Sequence, residues 1–199
     1  MKNVLNYILL KISYNMDRLH TIKNFLTHNE CSDILSKYKT ELQLKPAEIA
    51  NGKIDDRRKS SVGFINGIEN IDNRLRDTLK NLIQIKGFEV TGLGPYQFTE
   101  YKTGEYYDWH TDSSPTDDLY KDRFCSIVIQ LNDEYEGGYL QLMDDSGDNT
   151  YQCAHGIGTM YIFYSNIRHR VMPVTNGVRY SLVNWVSLQK IENFKKTII

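Results

Sequence analysis

Cysteine is scarce in this 199-residue chain. Cys31, Cys125 and Cys153 are odd in number and far apart, with no C-x-x-C pair, which argues against a disulfide framework or a cysteine zinc site and fits a reducing, cytoplasmic setting. A charge excess is lacking too: 24 basic residues face 25 acidic ones, for a formal net charge of −1, so there is no basic footprint for nucleic acid. No apolar run reaches the ~20 residues that a membrane span takes. The apolar stretch from Asn3 to Tyr14 is broken by Asn6 and Lys11 and has no small-residue cleavage site behind it, so neither an anchor nor a signal peptide is expected. A phosphate loop, a full dinucleotide fingerprint around Gly92-x-Gly94 and the common Ser or Cys nucleophile motifs are also missing.

What is present is an ordinary globular composition, 40% hydrophobic and 25% charged, in a length that suits one well-cored domain. We expect an extension over 1–18, a single domain over 19–190 and a tail over 191–199. Helical support should occupy about 27–87 and a β core about 88–188. From Thr27 to Leu44 a Thr three residues before Glu30 reads as a capping box, with Cys31, Ile34, Leu35, Tyr38 and Leu42 at helical intervals. A second helix is predicted over 71–86, with Ile71, Leu75, Leu79, Leu82 and Ile83 on one face and Gly87 as its stop. Between them, the charged run Asp55-Asp-Arg-Arg-Lys59 reads as a solvated loop before a short strand at Ser61 to Ile65.

Beyond Gly87 the pattern changes to short Tyr-, Phe-, Val- and Ile-rich segments separated by Gly, Asn and Asp. Strands are predicted near 96–101, 105–110, 124–132, 138–143, 158–163, 169–173 and 178–186. Two helices followed by seven or eight strands predict a mainly β fold, a helix-flanked antiparallel sandwich or jelly roll.

Two segments carry the chemistry. His110-Thr-Asp112 puts an imidazole and a carboxylate on one side of an extended chain, and His169 follows 59 residues later. Two imidazoles and one carboxylate are the set that holds non-haem Fe(II) while leaving positions open. The tripeptide alone also fits a hydrogen-bonded His beside a turn-forming Asp. Asn176-Gly177 is a turn signal, and a hairpin there would set Arg179 beside the His169 strand. Arg179, Ser181, Val183 and Trp185 then share one face. An inward Arg among apolar neighbours needs an anion, which a local carboxylate or a bound acid would supply. His155 is expected to be a loop residue and not a fourth ligand; His20 and His28 are assigned to the helical part.

These residues form a longer string: Gly94-Pro-Tyr-Gln-Phe-Thr-Glu-Tyr101, Gly104, Tyr107, His110-Thr-Asp112, Arg123, Leu131-Asn132, Gly137-Gly138, Gly156-x-Gly158, Ser165 and His169-x-Val-x-Pro-Val-x-x-Gly-x-Arg179-Tyr-Ser. It resembles the Fe(II)/2-oxoglutarate dioxygenases, in particular the prolyl 4-hydroxylase-like branch, over about residues 19–188, with an Arg58-Lys-Ser60 stretch similar to one in prolyl 4-hydroxylases. The resemblance implies a double-stranded β-helix, a jelly-roll or cupin-like barrel with N-terminal helices. It implies His110, Asp112 and His169 as metal ligands and catalytic centre, Arg179 on the distal carboxylate of 2-oxoglutarate, and Tyr101 and Gln130 beside the cosubstrate. Arg123 and Trp185 match substrate-contacting positions. The implied cofactors are Fe(II), 2-oxoglutarate and O₂, with ascorbate as a further candidate. Collagen-type enzymes usually carry Lys where this chain has Arg179, which separates it from collagen-type substrate preference.

The implied activity is hydroxylation of an unactivated C–H bond with release of succinate and CO₂. A peptidyl proline is the first substrate expected and a free amino acid or other small molecule the second. Residues 45–66 and 113–122 are the loops expected to choose it. A barrel that binds without turnover and a zinc hydrolase on the same ligands are the rivals; the second leaves Arg179 and Tyr101 without a task. Oligomeric state has no signature in the sequence.

Overall fold

The computed structural model describes residues 19–49, 54–82, 88–114, 120, 122–144 and 146–190. The extension 1–18, the tail 191–199, Ile83, the Gly87 stop and most of the loop between Ser114 and Asp122 lie outside the described residues.

Helix α1 (His28–Glu41) starts at the predicted box. The Thr27 hydroxyl accepts from the Glu30 N–H at 3.2 Å, and the Glu30 carboxylate accepts from the Thr27 N–H at 2.8 Å, so two orphan donors are satisfied at once. It ends three residues before the predicted limit, where Leu42 turns extended. Helix α2 (Glu69–Leu82) begins two residues earlier than predicted and buries Ile71, Leu75 and Leu79, the stripe that its 3.6-residue period requires.

Fourteen strands are found among the described residues, more than the seven or eight predicted. The larger sheet contains β1 (Leu19–Ile22), β2 (Lys45–Pro46), β4 (Ser61–Ile65), β6 (Tyr96–Lys102), β8 (Arg123–Gln130), β12 (Met160–Tyr164) and β14 (Val174–Lys190), in the order β1-β12-β8-β14-β6-β4-β2, with β5 (Phe88–Leu93) and β9 (Tyr135–Gly137) also pairing β14. The smaller sheet runs β11-β10-β13-β7-β3, made of β3 (Arg58–Lys59), β7 (Tyr106–His110), β10 (Leu140–Met143), β11 (Thr150–Gln152) and β13 (His169–Val171). The strands missed by the sequence reading are mostly two to four residues long, too short to show a period.

Side-chain alternation divides the larger sheet between structure and chemistry. On β14, Tyr180, Leu182 and Val186 enter the hydrophobic core, as do Tyr96 and Phe98 of β6 and Cys125, Ile127 and Ile129 of β8, together with the buried stripes of α1 and α2. The opposite face of β14 presents Arg179, Ser181, Val183 and Trp185 to a cavity of about 680 Å³. The two sheets form a sandwich flanked by helices, as the sequence pattern predicts, and it is the double-stranded β-helix that the resemblance implies.

Three expectations are corrected. Asn176-Gly177 is not a hairpin turn: β14 is continuous from Val174, pairs there with β9, and shifts register between Val174 and Asn176. Thr175 is the extra residue of the bulge at that shift, and Gly177, at φ +79°, lets β9 come close, since a Cβ there would lie 2.9 Å from the Glu134 carbonyl oxygen. Arg179 therefore pairs with Tyr101 across the larger sheet, while the His169 strand lies in the smaller one. The charged run is not wholly solvated, since Arg58 is 9% exposed. His20 lies in β1 opposite Ile162 and not in a helix. No helix among the described residues is long and apolar enough to cross a membrane, and all three cysteines are free and buried.

Candidate active site

β13 and β7 run antiparallel with His169 directly opposite His110, which brings the two imidazole rings to 4.1 Å between centroids. Asp112 lies just past the end of β7, where its N–H and that of Ser113 both donate to the Ser165 carbonyl, at 2.8 and 3.0 Å. The carboxylate lies 3.7 Å from His110 Nε2 and 3.4 Å from His169 Nε2, and ligand atoms of the three residues all fall within 4.8 Å of one another.

The neighbours fix the tautomers. His110 Nδ1 lies 2.7 Å from the Asp108 carbonyl and His169 Nδ1 2.9 Å from the Ile167 carbonyl. A carbonyl only accepts, so each Nδ1 carries the hydrogen and each Nε2 presents a bare lone pair. Burial first, and then the proximity of His169, lower the His110 pKa to about 3. Burial alone would raise the Asp112 carboxyl, but the charge that His169 and His110 carry when protonated, together with the Ser126 hydroxyl, holds it well below the usual range. Two lone pairs and an anion converge on one point, an arrangement that repels itself unless a cation sits there.

Asp112 is held in turn by Ser126 of β8, whose hydroxyl donates to Oδ2 at 2.6 Å and lies 2.9 Å from the hydroxyl of Ser165, just past β12. Removing such an outer partner typically weakens metal binding about 10–100-fold. Ser126→Ala is expected to lower Fe(II) affinity by that factor in an anaerobic metal titration, with the folded spectrum of the apo-protein unchanged.

Arg179 lies on the opposite wall at 1% exposure. Its Nη1 donates to Ser181 Oγ at 3.1 Å, while Nε and Nη2 have no partner, and among the described residues no carboxylate reaches it. Tyr101 is buried across the strand pair, with its ring 5.4 Å from the guanidinium carbon. Tyr135 is buried as well; its hydroxyl makes no well-formed hydrogen bond but lies close to the Arg179 guanidinium, and burial, which raises its pKa, outweighs that cation, so it remains protonated. Gly138, at φ +61°, leaves room for both residues: a Cβ there would come 3.1 Å from Arg179 Cδ and 3.2 Å from Tyr135 Cε2. Asn132 pins the strand on either side of Arg179, accepting from the Tyr180 N–H and donating to the Val178 carbonyl, each at 2.8 Å. The unpaired guanidinium edge fits one carboxylate bidentately.

Seven of the residues singled out from the sequence, His110, Asp112, His169, Arg179, Tyr101, Arg123 and Trp185, line this one cavity. Arg123 stacks on the Trp185 ring at 3.8 Å, and the buried Trp185 Nε1 has no acceptor. Gln130 is not brought to the wall. Its Nε2 donates to the Ala154 carbonyl and its Oε1 accepts from the Gly156 N–H, so both ends hold the 154–156 loop. His155, in that loop, stacks on Tyr139 at 4.2 Å and stands apart from the triad. The sequence reading gave no role to Ser126, Asn132, Tyr135 or Arg58. A role for Arg58 had one signal, its place in the Arg58-Lys-Ser60 stretch.

A model of the 2OG-Fe(II) oxygenase superfamily matches residues 96–187. A PKHD-type hydroxylase of Idiomarina loihiensis is 33% identical over 99 residues, 49% of this chain and 44% of that protein; the chain spans about half the length of the curated relatives it matches. Among solved structures, a prolyl hydroxylase of Trichoplax adhaerens, in complex with a hypoxia inducible factor oxygen degradation domain peptide, superposes with a TM-score of 0.70 at 20% identity, covering 93% of this chain and 89% of that one. A viral collagen prolyl hydroxylase of Paramecium bursaria chlorella virus-1, as a 2OG complex, gives 0.60 at 20% identity, covering 85% and 96%. At that identity the structural likeness establishes the fold.

Proposed function

Because the model of the 2OG-Fe(II) oxygenase superfamily matches residues 96–187, we propose that the chain belongs to that superfamily and is an Fe(II)- and 2-oxoglutarate-dependent hydroxylase. One observation carries the reading. A single cavity holds a triad whose lone pairs converge on a cation site and, on the facing wall, an arginine whose buried edge has no anion. His110, Asp112 and His169 would hold the metal, and Arg179 the distal carboxylate of 2-oxoglutarate, with the Tyr135 hydroxyl as a second donor and Tyr101 packed alongside. A zinc hydrolase needs the first half of this arrangement and not the second.

When bound, Fe(II), 2-oxoglutarate and O₂ together supply the oxidation, in which the 2-oxo acid becomes succinate and CO₂ as one oxygen atom enters a C–H bond. This chain's residues supply placement. Ser126 and Ser165 hold the Asp112 carboxylate in position, the Asp108 and Ile167 carbonyls aim the imidazoles, and the ring of Tyr107, stacked on His110 at 3.5 Å, covers that ligand from water.

The preferred substrate is a peptidyl proline in a protein. The fold of the prolyl hydroxylase neighbours supports it, as does the Trp185 N–H, an unpaired donor beside Arg123 that suits a peptide carbonyl. The three unpaired cysteines support a reducing, cytoplasmic setting.

The test is an anaerobic titration of the apo-protein with Fe(II) and then 2-oxoglutarate, following the visible metal-to-ligand charge-transfer band. The band is expected in the wild type and not in His169→Ala. A wild type that binds neither leaves a barrel that only binds a partner.

A further inference from the structure

We propose that Arg58 is a carboxylate receptor at the substrate end of the cavity, so that the molecule hydroxylated carries an acid close to the reacting carbon. The proposal rests on the hydroxylase reading and adds the chemical class of its substrate.

Arg58 opens β3, which pairs with β7 so that Arg58 faces Tyr107 in register. Its guanidinium carbon lies 4.6 Å from the Tyr107 ring centre, and that ring stacks on the metal ligand His110 at 3.5 Å, 11° from parallel. Two aromatic contacts in series thus place a cation next to the metal site. Only 9% of the residue is exposed. Its acceptors are neutral: Nε donates to Ser60 Oγ at 3.0 Å and Nη1 to the Glu48 carbonyl at 3.4 Å. The neighbouring residue shows the contrast. Arg57 takes Asp55 as a forked partner, at 3.0 and 3.2 Å, out in solvent, and among the described residues no carboxylate pairs with Arg58. A guanidinium has five N–H donors, and a buried cation with two neutral acceptors is costly until an anion arrives.

The cosubstrate is not that anion. On the hydroxylase reading Arg179 would take the distal carboxylate with its unpaired edge, and the proximal end of 2-oxoglutarate would go to the metal. The formal charges of Fe(II), Asp112, 2-oxoglutarate and Arg179 cancel when taken together. Among the described residues, what remains of the charged lining is Lys45, Arg58 and Arg123 against Glu48, and Arg58 is the buried one, so its cation favours an acid. The acid has two sources, the α-carboxylate of a free amino acid or an acidic side chain beside the target in a peptide.

Three matched pairs separate them: L-proline and L-prolinamide, Ac-Pro-Glu-NH₂ and Ac-Pro-Gln-NH₂, and Ac-Glu-Pro-NH₂ and Ac-Gln-Pro-NH₂. Each is added to the Fe(II)- and 2-oxoglutarate-loaded protein without oxygen, and binding is read from the perturbation of the charge-transfer band and from the thermal midpoint. In the wild type the acid of at least one pair is expected to bind about tenfold or more tighter than its amide, the scale of a hydrogen bond to a charged group. Arg58→Gln is expected to keep the band and lose the preference, and Arg58→Lys to keep part of it. Acid and amide binding alike in the wild type, or neither binding, overturns the proposal. So does Arg58→Gln weakening 2-oxoglutarate itself, which would make Arg58 a cosubstrate residue. If the band never forms, the hydroxylase reading fails first, and the thermal shift of wild type against Arg58→Gln with the acid probes still decides the receptor.

Discussion

Arg179→Met is expected to remove 2-oxoglutarate binding and, in the same molecule, to make the apo-protein more stable. Truncating one partner of a buried charged pair costs about 2–5 kcal/mol of binding, roughly 30-fold to several thousandfold in affinity. Calorimetry with 2-oxoglutarate on the Fe(II) protein should show that loss. The opposite sign for stability follows from the apo state, where a guanidinium 1% exposed has Nε and Nη2 without partners. Exchanging a buried charge for an apolar side chain of similar volume is neutral or stabilising by about 1–4 kcal/mol. Denaturant melts of the two apo-proteins measure this directly. A variant less stable than wild type would mean that Arg179 has a structural partner and is not held ready for a ligand.

Asp112→Asn should have the larger effect on the metal. The asparagine keeps the shape and still accepts the hydrogen bond that Ser126 gives at 2.6 Å. What it removes is the one negative charge among the three ligands. The metal would then meet two neutral imidazoles in a cavity already lined by Arg58, Arg123 and Arg179, so Fe(II) binding should disappear at micromolar concentrations and the charge-transfer band with it. His110→Gln offers a control, since it costs a neutral ligand and leaves the charge. It should bind metal weakly where Asp112→Asn binds none.

The metal site was legible because its signal is local and periodic: two ligands one residue apart in an extended segment, and a third at the start of another strand. The face that Arg179 shares with Trp185 was legible for the same reason. The hairpin was not, because an Asn-Gly pair whose glycine takes φ > 0 can lie within a continuous strand beside a bulge as well as in a turn, and only the partner strand decides between them. Tyr135–Gly137 is that partner, and it is three residues long. Arg58 was hidden differently. Every residue of its run is charged, which reads as solvated, and alternate placement on β3 turns Arg58 inward while Lys59 stays out. Gln130 shows the opposite error, since the resemblance put it at the pocket and its amide is engaged by the 154–156 backbone.

Strand β14 pairs with β5, β6, β8 and β9 and carries Arg179, and this sets an order of events during synthesis. A ribosome adds ~5–20 residues per second, so residues 110 and 112 emerge seconds before 169, and Arg179 comes later still. Until β14 is in place, four strands lack a neighbour and their edges are open to other chains. Pairings so distant in sequence also form slowly. The nascent protein therefore carries open strand edges until just before the pocket around Arg179 is complete, and a ligand of that pocket, such as the proposed 2-oxoglutarate, would favour completed molecules over unfinished ones by mass action.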